Sequence, residues 1–342
     1  MWWHSHHYRE RQTCLYLQAL KTSLTENPHE GEGDCKLDFV GKRFWFFIIS
    51  SLVIAPGIVF LILAPGLNPG IDFTGGSSMT LRFSEESNIE QEQVRDQLID
   101  LNYPEATVQN LGDNSFFIRT KELNEEAKDA LVTNITYSLD AGAENVLQGF
   151  DLVSPIVAQE TVMNALWAII AAAVGIFFYI WWAFRNVPSP LRYGLAAIVA
   201  LIHDTIIVIG IFAILGELMD MEVNTMFLIA LLTVIGYSVN DTIVVFDKIR
   251  ENVLIYSNRE FPEIVNLSIS ETLGRSLNTS FTLLITLIAL VLFGGATIRE
   301  FLYVLLIGVA AGTYSSIAIA SQVLVSWDQK SIAIPFRNKT VS

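Results

Sequence analysis

Six long apolar runs alternate with polar connections along the 342 residues. The first, Phe44 to Ala64, holds no charged side chain, and about 20 residues rising ~1.5 Å each cross the hydrocarbon core of a bilayer. The first spanning segment is placed at 37–65. Pro56-Gly57 marks a kink within it, which a membrane helix tolerates. The same pattern predicts spanning helices at 165–184, 193–215, 225–247, 276–294 and 301–325. Trp167, Trp181 and Trp182 lie towards the ends of the second helix, as in an aromatic belt. Lys248 to about Arg275 reads as a polar connection with amphipathic helical character.

Between the first two runs the periodicity changes. Met79 to Phe83 reads as a strand, and Ser87-Asn88-Ile89-Glu90 as a capping box. Val94, Leu98 and Leu101 then line one helical face. Strands follow at Ala106 to Leu111 and Ser115 to Thr120, with Gly112-Asp113-Asn114 as the hairpin turn. Glu125 to Leu139 reads as a second helix and Asn145 to Val153 as a last strand. The order βαββαβ is that of a ferredoxin-like domain, with one sheet face covered by helices and the other free to bind or pack. The fold class is therefore a multi-pass α-helical membrane protein of about six transmembrane helices with one extracytoplasmic α+β ferredoxin-like domain at 66–160. A five-helix bundle follows at 161–326. The tails at 1–36, expected to be disordered, and 327–342 complete the chain.

Composition agrees with that reading: 52% hydrophobic, 16% charged, mean hydropathy +0.44. The net charge of −14 is unevenly spread, because residues 84–160 carry 16 of the 35 acids. An acidic balance argues against a nucleic-acid partner. Cys14 and Cys35 both lie in the amino-terminal tail and imply no disulfide framework. That tail lacks an uninterrupted apolar stretch, so it does not read as a signal peptide. His4, His6 and His7 read as part of a flexible tail rather than a metal site. No nucleotide-binding loop, metal or organic cofactor is expected, and no enzymatic activity. Fifteen of the lysines and arginines fall on one side of the bundle and six on the other. The positive-inside rule then puts both termini in the cytoplasm and 66–160 outside.

Against this apolar background the charged residues stand out. An ionisable side chain at the centre of a membrane helix costs roughly 2.5–3.5 kcal/mol and marks an ion or proton site by default. Asp241 closes the fourth run, and Thr233, Gly236, Tyr237 and Asn240 share its stripe. On the fifth helix Arg275, Asn278, Thr279, Thr282 and Thr286 form another. Arg275 starts its helix at a depth comparable with the end of the fourth, so its side chain could reach Asp241. His203 and Asp204 are buried in the third helix, and Gly308, Ala311, Gly312 and Ser315 give the sixth a small-residue face. Desolvation disfavours a buried carboxylate's charge and a nearby arginine favours it, so a carboxylate between them can load and release a proton as packing shifts. Plainer readings stand beside this one: Arg275 snorkelling at a helix end, His203 as a hydrogen-bonded structural residue, and Asp204 merely orienting it.

Gly70-Ile71-Asp72-Phe73-Thr74-Gly75-Gly76 resembles the signature of the SecD/SecF protein-export family. His203-Asp204, Glu222-Val223-Asn224, the run Gly236 to Asn252 and Arg275-Ser276-Leu277-Asn278-Thr279-Ser280 resemble its SecF branch. The resemblance covers about Leu37 to Val325. It implies a bundle of the resistance-nodulation-division type, paired with SecD and associated with the SecYEG channel, with YajC and YidC as further candidates. The implied activity uses protons to pull an unfolded preprotein outward after the SecA ATPase has pushed it. Asp241 and Arg275 match the family's intramembrane charged pair, with Asn240, His203 and Asp204 beside it. Two other functions remain open on the sequence: a proton-coupled small-molecule or lipid exporter of the same superfamily, and a non-transporting membrane-insertion factor.

Overall fold

The computed structural model describes residues 38–329 except 64–65, 85–86, 88, 140–145, 220, 257 and 296–297. The readings of the tail at 1–36, and of the chain beyond 329, lie outside the described residues. Among the described residues, six helices are long and apolar enough to cross a membrane.

Helix α1 spans Arg43–Leu63, and the short α2 spans Ile71–Thr74. The outer domain follows as β1 Gly76–Arg82, α3 Gln91–Asp100, β2 Thr107–Gly112, β3 Ser115–Thr120, α4 Glu125–Leu139 and β4 Leu147–Val153. The strand order is β2-β3-β1-β4, and every neighbouring pair is antiparallel. This is the expected βαββαβ succession. Met79 pairs with both Ile118 and Phe150, and Leu81 with Phe116. Alternation along β3 sends Phe116 and Ile118 to the face covered by α3 and α4, where Val94, Leu98, Leu131 and Ile135 meet them. Each such buried side chain contributes about 1.5–3 kcal/mol. The capping box lies three residues later than expected. Glu90 caps α3 with Gln93, whose Oε1 accepts the Glu90 N–H at 2.8 Å, while Ser87 turns back onto the Ser84 carbonyl.

Two glycines of the Gly70–Gly76 segment have defined geometric tasks. Gly75 and Gly76 take φ of +75° and +124°, and a Cβ on Gly76 would lie 2.6 Å from the Thr120 carbonyl oxygen. Only glycine lets β1 start so close to β3.

The bundle consists of α5 Pro155–Ala183, α6 Pro190–Met219, α7 Thr225–Ile255, α8 Phe261–Phe293 and α9 Arg299–Ser315. A π-helical turn, Ser316–Ala320, leads into α10 Ser321–Asp328. The sixth run is thus one apolar rod with a widened turn, not a continuous α-helix. Side chains occupy carbonyls that the wide turn frees: Ser321 Oγ donates to the Ser316 carbonyl at 2.9 Å and Gln322 Nε2 to that of Ile317 at 3.2 Å.

The polar stretch after the fourth run has the helical character expected of it, but as extensions of the spanning helices on either side. α7 continues to Ile255 and α8 begins at Phe261, so most of 248–275 is two facing helical arms. Their polar side chains satisfy one another. Asn252 Nδ2 donates to Ser268 Oγ at 3.0 Å and to Glu271 Oε2 at 2.9 Å, and Lys248 pairs with Glu271 at 3.4 Å. Within the bundle, close backbone approach replaces hydrophobic collapse as the source of cohesion. A Cβ on Gly57 of α1 would lie 2.7 Å from the Gly210 Cα of α6. Gly308 leaves room for the Val234 side chain, and Gly312 for Ser238.

Candidate functional site in the helical bundle

α6, α7, α8 and α9 bring two carboxylates into the bundle, and both are almost fully buried: Asp204 is 2% and Asp241 3% exposed. Their surroundings differ sharply. Asp204 Oδ2 accepts the Ser238 hydroxyl at 2.5 Å and the Ser315 hydroxyl at 2.7 Å. Its Oδ1 lies 2.9 Å from His203 Nδ1. Three helices are joined at this one group. His203 is stacked on Tyr314, with ring centroids 6.2 Å apart, and Tyr314 donates to the Phe46 carbonyl of α1 at 2.8 Å. Among the described residues, His203 Nε2 is buried without a hydrogen-bond partner.

Among the described residues, Asp241 has one hydroxyl contact, from Ser280 Oγ to Oδ2 at 3.5 Å. The single Ser280 proton has a nearer acceptor in the Ser276 carbonyl at 2.9 Å. Ser280 also accepts Thr313 Oγ1 at 2.6 Å and lies 2.9 Å from the Tyr237 hydroxyl. Asp204 therefore meets three polar side chains at 2.5–2.9 Å, whereas Asp241 is joined weakly to a hydroxyl cluster spanning α7, α8 and α9. A buried carboxylate without full hydrogen bonding is costly as an anion.

Arg275 does not form an ion pair with Asp241. It is exposed, and its charge acts on the carboxylate only through space. The polar strip of α8 faces outward with it: Asn278, Thr279 and Thr282 are exposed. Thr279, Thr282 and Thr286 spend their hydroxyls on carbonyls of their own helix, four residues back. The inward polar positions are Ser268, Thr272, Ser276 and Ser280, recurring every four residues. Thr233, Gly236 and Asn240 of α7 are exposed as well, and Asp241 lies at the border between that strip and the interior.

Sequence reasoning did not single out Ser238, Ser280, Thr313 or the pairing of Ser315 with Asp204. The small-residue face of α9 was a signal for Ser315, and Ser238 and Ser280 stood inside the family-like runs without a role of their own; nothing marked Thr313. Of the signature segment, Gly70 approaches Val223, Asp72 accepts the Thr225 N–H at 2.7 Å, Phe73 packs against the bundle core, and Gly75 and Gly76 shape the start of β1.

Two family models match the chain: "Protein export membrane protein SecD/SecF, C-terminal" over residues 122–330 and "SecD/SecF GG Motif" over 60–86. The protein translocase subunit SecF of Thermobaculum terrenum is 44% identical over 312 residues, 88% of this chain and 97% of the relative. The SecDF of Bacillus subtilis is 34% identical over 295 residues, 85% of this chain but 38% of the longer relative. A crystal structure of SecDF, a translocon-associated membrane protein from Thermus thermophilus, superimposes with a TM-score of 0.76 at 32% identity. That match covers 92% of this chain and 41% of the SecDF chain. These relatives favour protein export over the small-molecule exporter reading and place the molecule among multi-pass membrane transport components. With one model covering more than half of its length and a 44% identical relative matched across 97% of its own, the chain belongs to the SecD/SecF family of protein-export membrane proteins.

Proposed function

We propose that this chain is the SecF half of a SecD–SecF device that spends the proton-motive force on drawing preproteins outward from the SecYEG channel. Asp241 is the proton-loading group. The observation that carries the reading is the contrast between the two buried carboxylates. Asp204 is held at both oxygens by side chains of this chain. Asp241 has one long contact and borders an exposed polar strip on α7 and α8. Polar side chains at membrane depth face protein or water rather than lipid. The strip fits a second helical bundle, supplied by SecD, which would bring Arg275 and Asn240 into a shared interior. A proton crossing the membrane delivers ~2.3 kcal/mol per 100 mV, enough to shift a conformational equilibrium of a few kcal/mol. His203 and Asp204 then act as the fixed reference against which Asp241 changes state. Both termini lie in the cytoplasm and the outer domain on the far side of the inner membrane.

The test is Asp241→Asn in reconstituted SecD–SecF–SecYEG vesicles. The variant is expected to fold and copurify with SecD but to lose the part of preprotein export that depends on an imposed proton gradient. Undiminished gradient-dependent export by that variant would overturn the proposal.

A further inference from the structure

The segment between α1 and the outer domain is stitched to the start of the helix that bears Asp241. Pro69 and Val223 form an isolated parallel bridge, in which the Gly70 N–H donates to the Val223 carbonyl and the Val223 N–H to that of Asn68, each at 2.7 Å. Gly70 suits this approach, since a Cβ there would lie 3.2 Å from the Val223 oxygen. Two residues on, Asp72 Oδ2 accepts the backbone N–H of Thr225, the first residue of α7.

An ordinary helix cap comes from the residue just before the helix, and α7 already has one. Asn224 Oδ1 accepts the Phe227 N–H at 3.0 Å. Asp72 is a second acceptor, brought to the same helix end from 153 residues away. A carboxylate there also suits the helix dipole.

The outer domain holds the same point. Arg119 projects from β3 on the sheet face opposite Phe116 and Ile118. Its guanidinium pairs with Glu222 at 3.1 Å and donates to the Pro69 carbonyl at 2.6 Å. Both side chains are largely shielded, 20% and 14% exposed, so the pair is screened less than a surface one. Glu300, in the first turn of α9, accepts the Glu222 N–H at 3.4 Å and Asn224 Nδ2 at 3.3 Å. The outer sheet, the signature segment, α7 and α9 thus meet within one short loop, 222–225.

Asp241 lies sixteen residues along α7 from Thr225, about 24 Å at ~1.5 Å per residue. A continuous helix carries an axial shift or a rotation at one end to the other. We infer that Asp72 is a positioning residue that fastens the Asp241 helix to the outer domain, with the Arg119–Glu222 pair as the second fastener of the same joint. A change of packing around Asp241 then moves the outer sheet instead of being absorbed in the loop. The functional part of this inference rests on the proton-driven reading above; the mechanical part does not.

The experiment uses the full chain in complex with SecD. Cys14→Ser and Cys35→Ser remove the native thiols. Spin labels are placed at Tyr137→Cys on the outer domain and Leu254→Cys at the far end of α7, both exposed positions. Asp72→Ala is expected to broaden the label-to-label distance distribution and to lower gradient-dependent export about fivefold, the equilibrium worth of one lost cap. It should leave Asp241-dependent proton uptake per assembled complex unchanged. Asp72→Asn, whose amide oxygen accepts the same N–H, should restore both the distribution and export. For the second fastener, Arg119→Glu and Glu222→Arg should each broaden the distribution, and their combination should narrow it. An unchanged distribution in Asp72→Ala overturns the inference. So does a loss of proton uptake, export and assembly in step, which would mark Asp72 as fold support alone. If the wild-type complex shows no Asp241-dependent proton uptake, the proton reading fails while the label distances still decide the joint.

Discussion

Ser238 donates its hydroxyl to Asp204 across 2.5 Å, although it lies one helical turn before Asp241 on the same helix. One face of α7 is therefore tied to a closely held carboxylate on α6, while the next turn carries the weakly held one. Ser315 completes the tie from α9. A shift of α7 that frees Asp241 must also stretch or keep the Ser238–Asp204 bond.

Ser238→Ala and Ser315→Ala should each lower stability by about 1–3 kcal/mol, the range for leaving a buried hydrogen-bonding group short of a partner. The double variant should depart from additivity, because both hydroxyls serve the same Asp204 oxygen. Thermal unfolding of the purified chain in detergent measures this. Ser280→Ala should cost a comparable amount, because it takes the partner from the Tyr237 hydroxyl and an acceptor from Thr313, yet impair gradient-dependent export more than either. Export no weaker in Ser280→Ala than in Ser238→Ala would remove the distinction between the two carboxylates.

Two glycines separate packing inside the chain from packing against a partner. A Cβ on Gly312 would lie 2.8 Å from the Ser238 Cβ, whereas one on Gly236 would meet nothing within 4 Å. Gly312→Ala should destabilise the isolated chain by about 1–3 kcal/mol through overpacking. Gly236→Leu should leave its unfolding midpoint unchanged but weaken copurification with SecD, measured by pull-down at matched expression. A midpoint loss in Gly236→Leu matching that of Gly312→Ala would contradict this placement of the interface.

In the outer domain, Gly76→Ala places a side chain at φ +124° and against the Thr120 carbonyl. It should cost about 1–3 kcal/mol from backbone strain, more with the clash. Gly149→Ala on β4, where a Cβ meets nothing within 4 Å, should instead be neutral or slightly stabilising, since alanine restricts the unfolded chain. Proteolysis of the outer domain in otherwise intact vesicles compares the two directly.

Most of this architecture is legible in the residues. The period-two and period-four patterns place Ser115–Thr120 and Glu125–Leu139 at their observed bounds. The helix ends are less legible, because the 248–275 stretch looks like a connection until Asn252 is seen bonded to Ser268 and Glu271. The polar stripe of α8 misleads for a physical reason. Arg275, Asn278, Thr279, Thr282 and Thr286 have helical spacing, and so do Ser268, Thr272, Ser276 and Ser280. Periodicity cannot say which set faces the interior when threonines satisfy themselves on their own carbonyls. Asp204 could be read as an intramembrane charge, but its partners are ordinary serines on other helices. The Asp72–Thr225 contact spans 153 positions and has no local signature.

The widened turn at Ser316–Ala320 makes spacing itself part of the design of the last helix. Thr313 and Ser315 before it hold the hydroxyl contacts to Ser280 and Asp204. After it, Arg192 pairs with Asp328 at 3.0 Å and Arg43 donates to Gln329 at 2.7 Å. Removing one residue from the regular turns between these two sets, with the widened turn kept, would rotate them against each other by about 100°, the angle per residue of a 3.6-residue turn. Removing one from the widened turn itself would tighten its i→i+5 bonds to i→i+4 and leave both sets in place. The widened turn is therefore where this window carries a residue of slack, and the turns on either side of it work as rulers of fixed length.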